Sequence, residues 1–179
     1  MITTLLLAGA AHAAPPLSLP GAEVIQAAGP RITCQPPWCS GEIAIDAPPA
    51  AVMDTLMDFS QYPVVFPRVR EVVALSESVT HITLAMPFPL QDRDYVITAV
   101  YERDSFYFEP VDYPEVDGVV RLADFSGRWM LTPAGTGTTV RYIWHTDLGA
   151  DIPSWAVSRA WSTQGNEVLG RLKDAVEQQ

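Results

Sequence analysis

The sequence predicts an α+β domain in which a curved antiparallel sheet wraps around one long C-terminal helix. Two observations carry this reading: apolar and polar residues alternate along a series of short segments between Val69 and Thr146, and the spacing turns helical from Ile152 to Val176. A third is that turn residues separate the alternating segments closely, which makes consecutive strands antiparallel neighbours. Strands segregated from helices in this way give an α+β rather than an alternating α/β order.

At the N-terminus an apolar run, Leu5 to Ala11, leads into Ala11–His12–Ala13 and then Ala14–Pro15–Pro16. The small-x-small pattern reads as a signal peptide over residues 1–13, although its first residues lack Lys or Arg, and it implies an exported protein, periplasmic or secreted. Residues 14–41 read as an N-terminal linker, in which Val24–Ile25 and Arg31–Thr33 are short extended pieces with no assigned place. Cys34 and Cys39 are the only cysteines. A lone pair at this spacing lacks the second pair of ligands a structural zinc site needs, and His12, His81 and His145 have no metal-like spacing. With export the two form a local disulfide; in a reducing cytosol they stay thiols.

The folded domain is expected over residues 42–179. Glu42 to Asp46 alternates and reads as a strand, which Ala47–Pro48–Pro49 ends. Val52, Met53, Leu56 and Phe59 then share one face of a short helix, and Tyr62–Phe66 is an apolar cluster closed by Pro67. The strands follow: Val69–Ala74, Ile82–Met86, Tyr95–Tyr101, Phe106–Phe108, Val119–Ala123, Trp129–Leu131 and Thr138–Thr146. Ser76–Glu77–Ser78, Arg103–Asp104, Asp117–Gly118 and Ala134–Gly135–Thr136–Gly137 supply turns between them. Ile82, Leu84 and Met86 share a face, as do Tyr95, Ile97, Ala99 and Tyr101, and Val140, Tyr142 and Trp144. These faces point inward, as core or as the wall of a cavity, and their aromatic members suit either.

In the last helix Val157, Trp161, Val168, Leu172 and Val176 form an apolar stripe, widened by Ala160, Leu169 and Ala175, with Pro153 suited to the first turn. Gln164 and Gly165 interrupt it. Either they are tolerated breaks in an ordinary core helix, or the gap faces a cavity. On the second reading a leucine at either position fills the cavity and leaves the fold intact.

A net charge of −10 repels nucleic acid and anionic membrane surfaces as tight partners. A hydrophobic fraction of 48% over 179 residues supports one domain with a real core. The sequence contains no GxSxG, HExxH, phosphate loop or GxGxxG, so catalytic signals are weak. His145 and Asp147 share a strand face with Arg141, opposite to Tyr142 and Trp144, and are expected to face solvent. Were that face inward, His145 would suit a general base.

Four stretches taken in order resemble START domains, the lipid-transfer branch of the helix-grip superfamily. They are Ala47–Pro48–Pro49–Ala50–Ala51–Val52; Pro87 through Gln91–Asp92–Arg93–Asp94–Tyr95–Val96; Gly127–Arg128–Trp129 with Pro133; and Asp147–Leu148–Gly149 through Ile152–Pro153–Ser154–Trp155. The segment Asp58 to Pro67 is also similar to coenzyme-Q-binding and polyketide-cyclase-like relatives. The resemblance implies a helix-grip fold with an apolar cavity between sheet and last helix, holding one lipid, sterol, quinone or other isoprenoid without a cofactor or metal. Some sterol-binding members bury an arginine six residues after that of the Arg-Asp pair. Ala99 stands there in this chain, which favours a more apolar pocket.

The expected ligand-binding set is therefore Leu84, Met86, Arg93, Tyr95, Ile97, Ala99, Tyr101, Trp129, Tyr142, Trp144, Trp161, Gln164, Gly165 and Val168. Arg93 is placed at the cavity edge to hold a polar head group, or in a plain surface ion pair, and Trp155 at a packing contact or a gate. The expected function is non-catalytic carriage of one hydrophobic molecule by a monomer that touches membranes transiently. A cyclase or dehydrase working in the same cavity is the alternative.

Overall fold

The computed structural model describes residues 15–16, 29–35, 37–86, 91–122, 124–147 and 154–179, with only the backbone of 154–159. The expected leader, most of the expected linker, the proline-rich turn 87–90, residues 148–153 and the Trp155 side chain lie outside the described residues. The elements in order are β1 (Arg31–Gln35), β2 (Trp38–Ile45), α1 (Pro49–Met57), a 3-10 turn (Phe59–Gln61), α2 (Tyr62–Val65), β3 (Val69–Ala74), β4 (Val79–Leu84), β5 (Arg93–Glu102), β6 (Ser105–Pro110), β7 (Val120–Arg121), β8 (Asp124–Ala134), β9 (Gly137–Asp147) and α3 (Ser154–Glu177). The sheet runs β1-β2-β9-β8-β6-β5-β4-β3. Every neighbour on this path is antiparallel.

Two departures from the sequence reading concern strands. Residues 31–35 and 38–41, expected in the linker, belong to the sheet, because β1 and β2 pair as a hairpin and β2 pairs with β9. The segment expected as a strand over 119–123 contributes only β7, which runs parallel to β5 at Arg93 and Asp94. The chain reverses once into β6 and again after it, so β7 runs in the direction of β5, and the connection from Pro110 to Val120 is long enough to reach past β6.

Cys34 and Cys39 face each other across the β1–β2 hairpin and form a disulfide. Replacing both by serine should lower stability by only about 2 kcal/mol, the chain-entropy value for so short a loop. A modest fall in Tm on thermal unfolding of the variant checks this, and collapse of the fold would contradict it.

The inner face of the sheet carries Ile43, Ile45, Val140, Tyr142, Trp144, Leu131, Trp129, Phe125, Phe106, Phe108, Tyr95, Ile97, Ile82 and Leu84, all buried in one core. Helix α3 closes that core with Trp161, Leu169, Leu172 and Val176. Its C-terminal half is tied down: Lys173 Nζ donates to the Ala44 carbonyl at 2.9 Å, Glu177 Oε1 accepts from the Asp46 amide at 2.7 Å, and Gln179 Nε2 donates to Thr55 Oγ1 at 3.0 Å. Pro49 at the first turn of α1 lacks an N–H where none is needed, and α1 buries Val52, Thr55 and Leu56. Among the described residues no helix is long and apolar enough to cross a membrane.

Candidate functional site: an apolar cavity under the last helix

Strand register stacks the large aromatic side chains in rows. Tyr142, Trp129 and Phe106 lie side by side across β9, β8 and β6, and Trp144, Gly127 and Phe108 form the next row. Tyr142 stacks on Trp129 at 3.9 Å and 9°, and Trp144 on Tyr142 at 4.8 Å and 17°. Gly127 leaves the room this requires: a Cβ there would lie 2.5 Å from Phe108 Cζ. The result is a nearly continuous aromatic wall, with Phe125 between Phe108 (5.1 Å) and Tyr95 (4.2 Å).

A cavity lies against this wall. The sheet contributes Val69, Ile82, Leu84, Tyr95, Ile97, Phe108, Phe125, Trp129, Tyr142 and Trp144. The segment after α1 contributes Phe59, Tyr62, Phe66, Pro67 and Arg68, and α3 contributes Gln164, Gly165, Glu167 and Val168. The groove, counting the space open to solvent at its mouth, holds about 760 Å³ free of protein atoms, but the cavity within it amounts to only about 70 Å³. The cavity itself is well below the roughly 300–1,000 Å³ of ordinary ligand sites, so a large ligand must push the walls apart.

Polar groups are sparse and mostly committed. Tyr62 Oη donates to the Leu56 carbonyl at 2.8 Å. At the mouth, Arg68 Nε donates to Glu167 Oε2 at 2.8 Å, joining the start of β3 to α3 with both side chains part-exposed. Burial pushes the phenols of Tyr62, Tyr95 and Tyr142 up from their ordinary value, so all three are neutral at physiological pH.

Of the residues expected to bind ligand, Leu84, Tyr95, Ile97, Trp129, Tyr142, Trp144, Gln164, Gly165 and Val168 line this cavity. Met86, Arg93, Ala99, Tyr101 and Trp161 do not. Met86 donates its amide to Asp92 Oδ1 at 3.1 Å, beside the β4–β5 turn. Arg93 donates to the Gln91 carbonyl at 3.0 Å rather than guarding the cavity edge. Tyr101 is 46% exposed, because β5 outruns the core there, while Ala99 packs at the core margin. Trp161 is buried a helical turn before Gly165.

Gly165 also needs a correction. It lines the cavity, but the space its missing side chain leaves is taken by Trp144: a Cβ would meet Trp144 Cη2 at 2.4 Å. It is a point of close approach of helix to sheet, not an empty gap. The expected set missed Phe59, Tyr62, Phe66, Pro67, Arg68, Val69, Ile82, Phe108, Phe125 and Glu167; the apolar Tyr62–Phe66 cluster was the available signal for the segment after α1.

The charged residues of the Asp92–Arg93–Asp94 cluster act on the fold. Asp92 pairs with Arg70. Asp94, 1% exposed, accepts two hydrogen bonds from Arg121, from Nε at 2.9 Å and Nη2 at 2.8 Å, and lies 2.9 Å from His81 Nε2. His145 faces away from the cavity, 3.1 Å from Asp124 and 5.4 Å from the Trp38 ring, as the strand alternation predicts.

Comparison with known proteins agrees with this geometry. The chain is 30% identical over 110 residues to an uncharacterized protein of Pseudomonas aeruginosa, covering 57% of this chain and 54% of that one, so it spans about half of that relative's length. It is 26% identical over 147 residues to the phosphatidylcholine transfer protein of Bos taurus, covering 74% of this chain and 68% of the relative. The crystal structure of a STAR-related lipid transfer protein from Xanthomonas axonopodis superposes with a TM-score of 0.71 at 23% identity, covering 86% of this chain and 96% of that one. The family model described as polyketide cyclase / dehydrase and lipid transport matches residues 39–177, and the chain belongs to that family, with the helix-grip fold of START domains.

Proposed function

We propose that the protein is a non-catalytic carrier that shelters one hydrophobic molecule between the aromatic wall and α3. The observation that carries this reading is the cavity itself, walled by apolar side chains and placed where the family's fold leaves space between sheet and last helix. Burial of a ligand there gains about 25 cal/mol per Å² of apolar surface removed from water. The bovine relative's name makes a phospholipid the first candidate; the wider class is lipid, sterol, quinone or other isoprenoid.

The reading against catalysis rests on the side chains. The lining offers neutral phenols and a rim ion pair, whereas His145, the one candidate general base from the sequence, is engaged on the opposite face. The protein is proposed to act as an exported monomer, consistent with its disulfide, in transient contact with membranes.

Loading requires the walls to part. The C-terminal end of α3 is anchored to β2 and α1, and the Arg68–Glu167 pair clips the middle of the helix to the start of β3 at the cavity mouth. A part-exposed pair contributes under about 1 kcal/mol. Glu167→Gln should therefore leave Tm nearly unchanged while speeding release of a bound fluorescent lipid severalfold in a stopped-flow assay.

Transfer of pyrene-labelled phosphatidylcholine and of a pyrene-labelled isoprenoid from donor to acceptor vesicles tests the carrier reading. Transfer rate should rise linearly with protein concentration for at least one of them. No acceleration of either, with turnover of a linear polyketide instead, would establish the enzyme alternative.

A further inference from the structure

Two tyrosines of the cavity wall keep a polar group that the described part of the fold does not use. Tyr95 and Tyr142 are 6% and 7% exposed and both line the cavity, yet neither hydroxyl forms a hydrogen bond with any described residue. Tyr62 is as well buried, at 8%, and its hydroxyl is satisfied by the Leu56 carbonyl. Where shape alone is needed phenylalanine fills the same volume, and the same wall uses it at Phe108 and Phe125.

The two phenols belong to one surface. Tyr95 packs against Phe125 at 4.2 Å, Phe125 against Phe108 at 5.1 Å, and Phe108 against Tyr142 at 6.4 Å. They are also close enough that charge on Tyr95 would oppose ionisation of Tyr142. Both stay protonated, so both can donate. The other polar lining groups are Arg68 and Glu167, which satisfy each other at the rim, and Gln164 on α3.

The geometry points to a ligand that carries a neutral hydrogen-bond acceptor, a ketone, ester or quinone-type carbonyl, within its apolar body, held by the hydroxyls of Tyr95 and Tyr142. A pure hydrocarbon leaves both donors unpaired. A carboxylate brings a charge to a wall whose described residues offer only Arg68, already paired with Glu167. This inference deepens the carrier reading and rests on it.

Two probes of matched size, decanophenone with a carbonyl and decylbenzene without, separate these possibilities when each displaces the dye N-phenyl-1-naphthylamine. The readout is the ratio of ketone to hydrocarbon affinity. Relative to the unmodified chain, Tyr95→Phe and Tyr142→Phe should each lower that ratio about threefold and the double variant about tenfold, the range expected for loss of one or two neutral hydrogen bonds. Decylbenzene affinity and Tm should change little, since the rings and their stacking remain. A ratio unchanged within twofold in the double variant overturns the inference and leaves the carrier reading standing. Failure of the dye and both probes to bind the unmodified chain overturns the carrier reading and this inference together.

Discussion

Replacing Gly165 by leucine should destabilise the protein by about 2–3 kcal/mol, a fall in Tm of roughly 5–10 °C for a chain of this size. The reason is local and tertiary at once. A Cβ at 165 would sit 2.4 Å from Trp144 Cη2 and 2.8 Å from its Cζ2. Trp144 is 2% exposed and stacked on Tyr142, which is stacked on Trp129, so the ring cannot step aside without disturbing the row. Even Gly165→Ala should lose stability, although alanine in place of glycine inside a helix ordinarily gains about 1 kcal/mol. Gly170, five residues on in the same helix, supplies the control. A Cβ there meets nothing within 4 Å, so Gly170→Ala should raise Tm. Thermal unfolding of the two alanine variants should give shifts of opposite sign, and near-ultraviolet circular dichroism should report displaced tryptophan only in the Gly165 variants. Shifts of the same sign would contradict the packing described for α3.

Asp94→Asn should cost about 2–3 kcal/mol, less than the roughly 3–5 of breaking a fully buried pair, because Arg121 keeps 19% of its side chain exposed and can be hydrated. The carboxylate joins three segments: β5, on which it lies; β4, through His81; and β7, through Arg121, whose Nη1 also donates to the Tyr113 carbonyl at 2.8 Å. Burial by itself would raise the Asp94 pKa, but the hydrogen bonds from Arg121 and His81 outweigh it and hold the group below the ordinary carboxylate value. Because its folded pKa is the lower one, Asp94 contributes stability that is fully present above the unfolded carboxylate pKa and lost as pH falls through the folded value. Urea unfolding followed from neutral pH into the acid range should show stability falling below the usual carboxylate range in the unmodified chain and a flatter acid limb in Asp94→Asn. An identical acid limb in both would show that other carboxylates govern it.

The periodic parts of the fold were open to reading from the sequence. Alternation placed Tyr95, Ile97, Tyr142 and Trp144 on the inner face, where the structure has them, and helical spacing located α3 and its buried Trp161, Leu172 and Val176. The failures share a cause: each depended on a partner distant in sequence. Gly165 reads as a hole in an apolar stripe because a glycine has no side chain to count, and only Trp144, on another element, shows that the position is a tight contact. Arg93 looks like the functional arginine of its cluster, yet the arginine that binds Asp94 comes 27 residues later, on a strand too short to announce itself. Tyr101 continues the alternation of Tyr95 and Ile97, but alternation does not record where a strand leaves the core. Phe59 and Tyr62 line the cavity from a 3-10 turn and a one-turn helix, too short for any period to be measured.

Native mass spectrometry of the protein purified without delipidation, with organic extraction of the same sample, tests the central claim most directly. The cavity lined by Tyr95, Trp129, Tyr142 and Val168 predicts one hydrophobic molecule per chain, lost on collisional activation and recovered in the extract. A spectrum holding only the bare chain mass, together with no uptake when the protein is offered lipid vesicles, would contradict it.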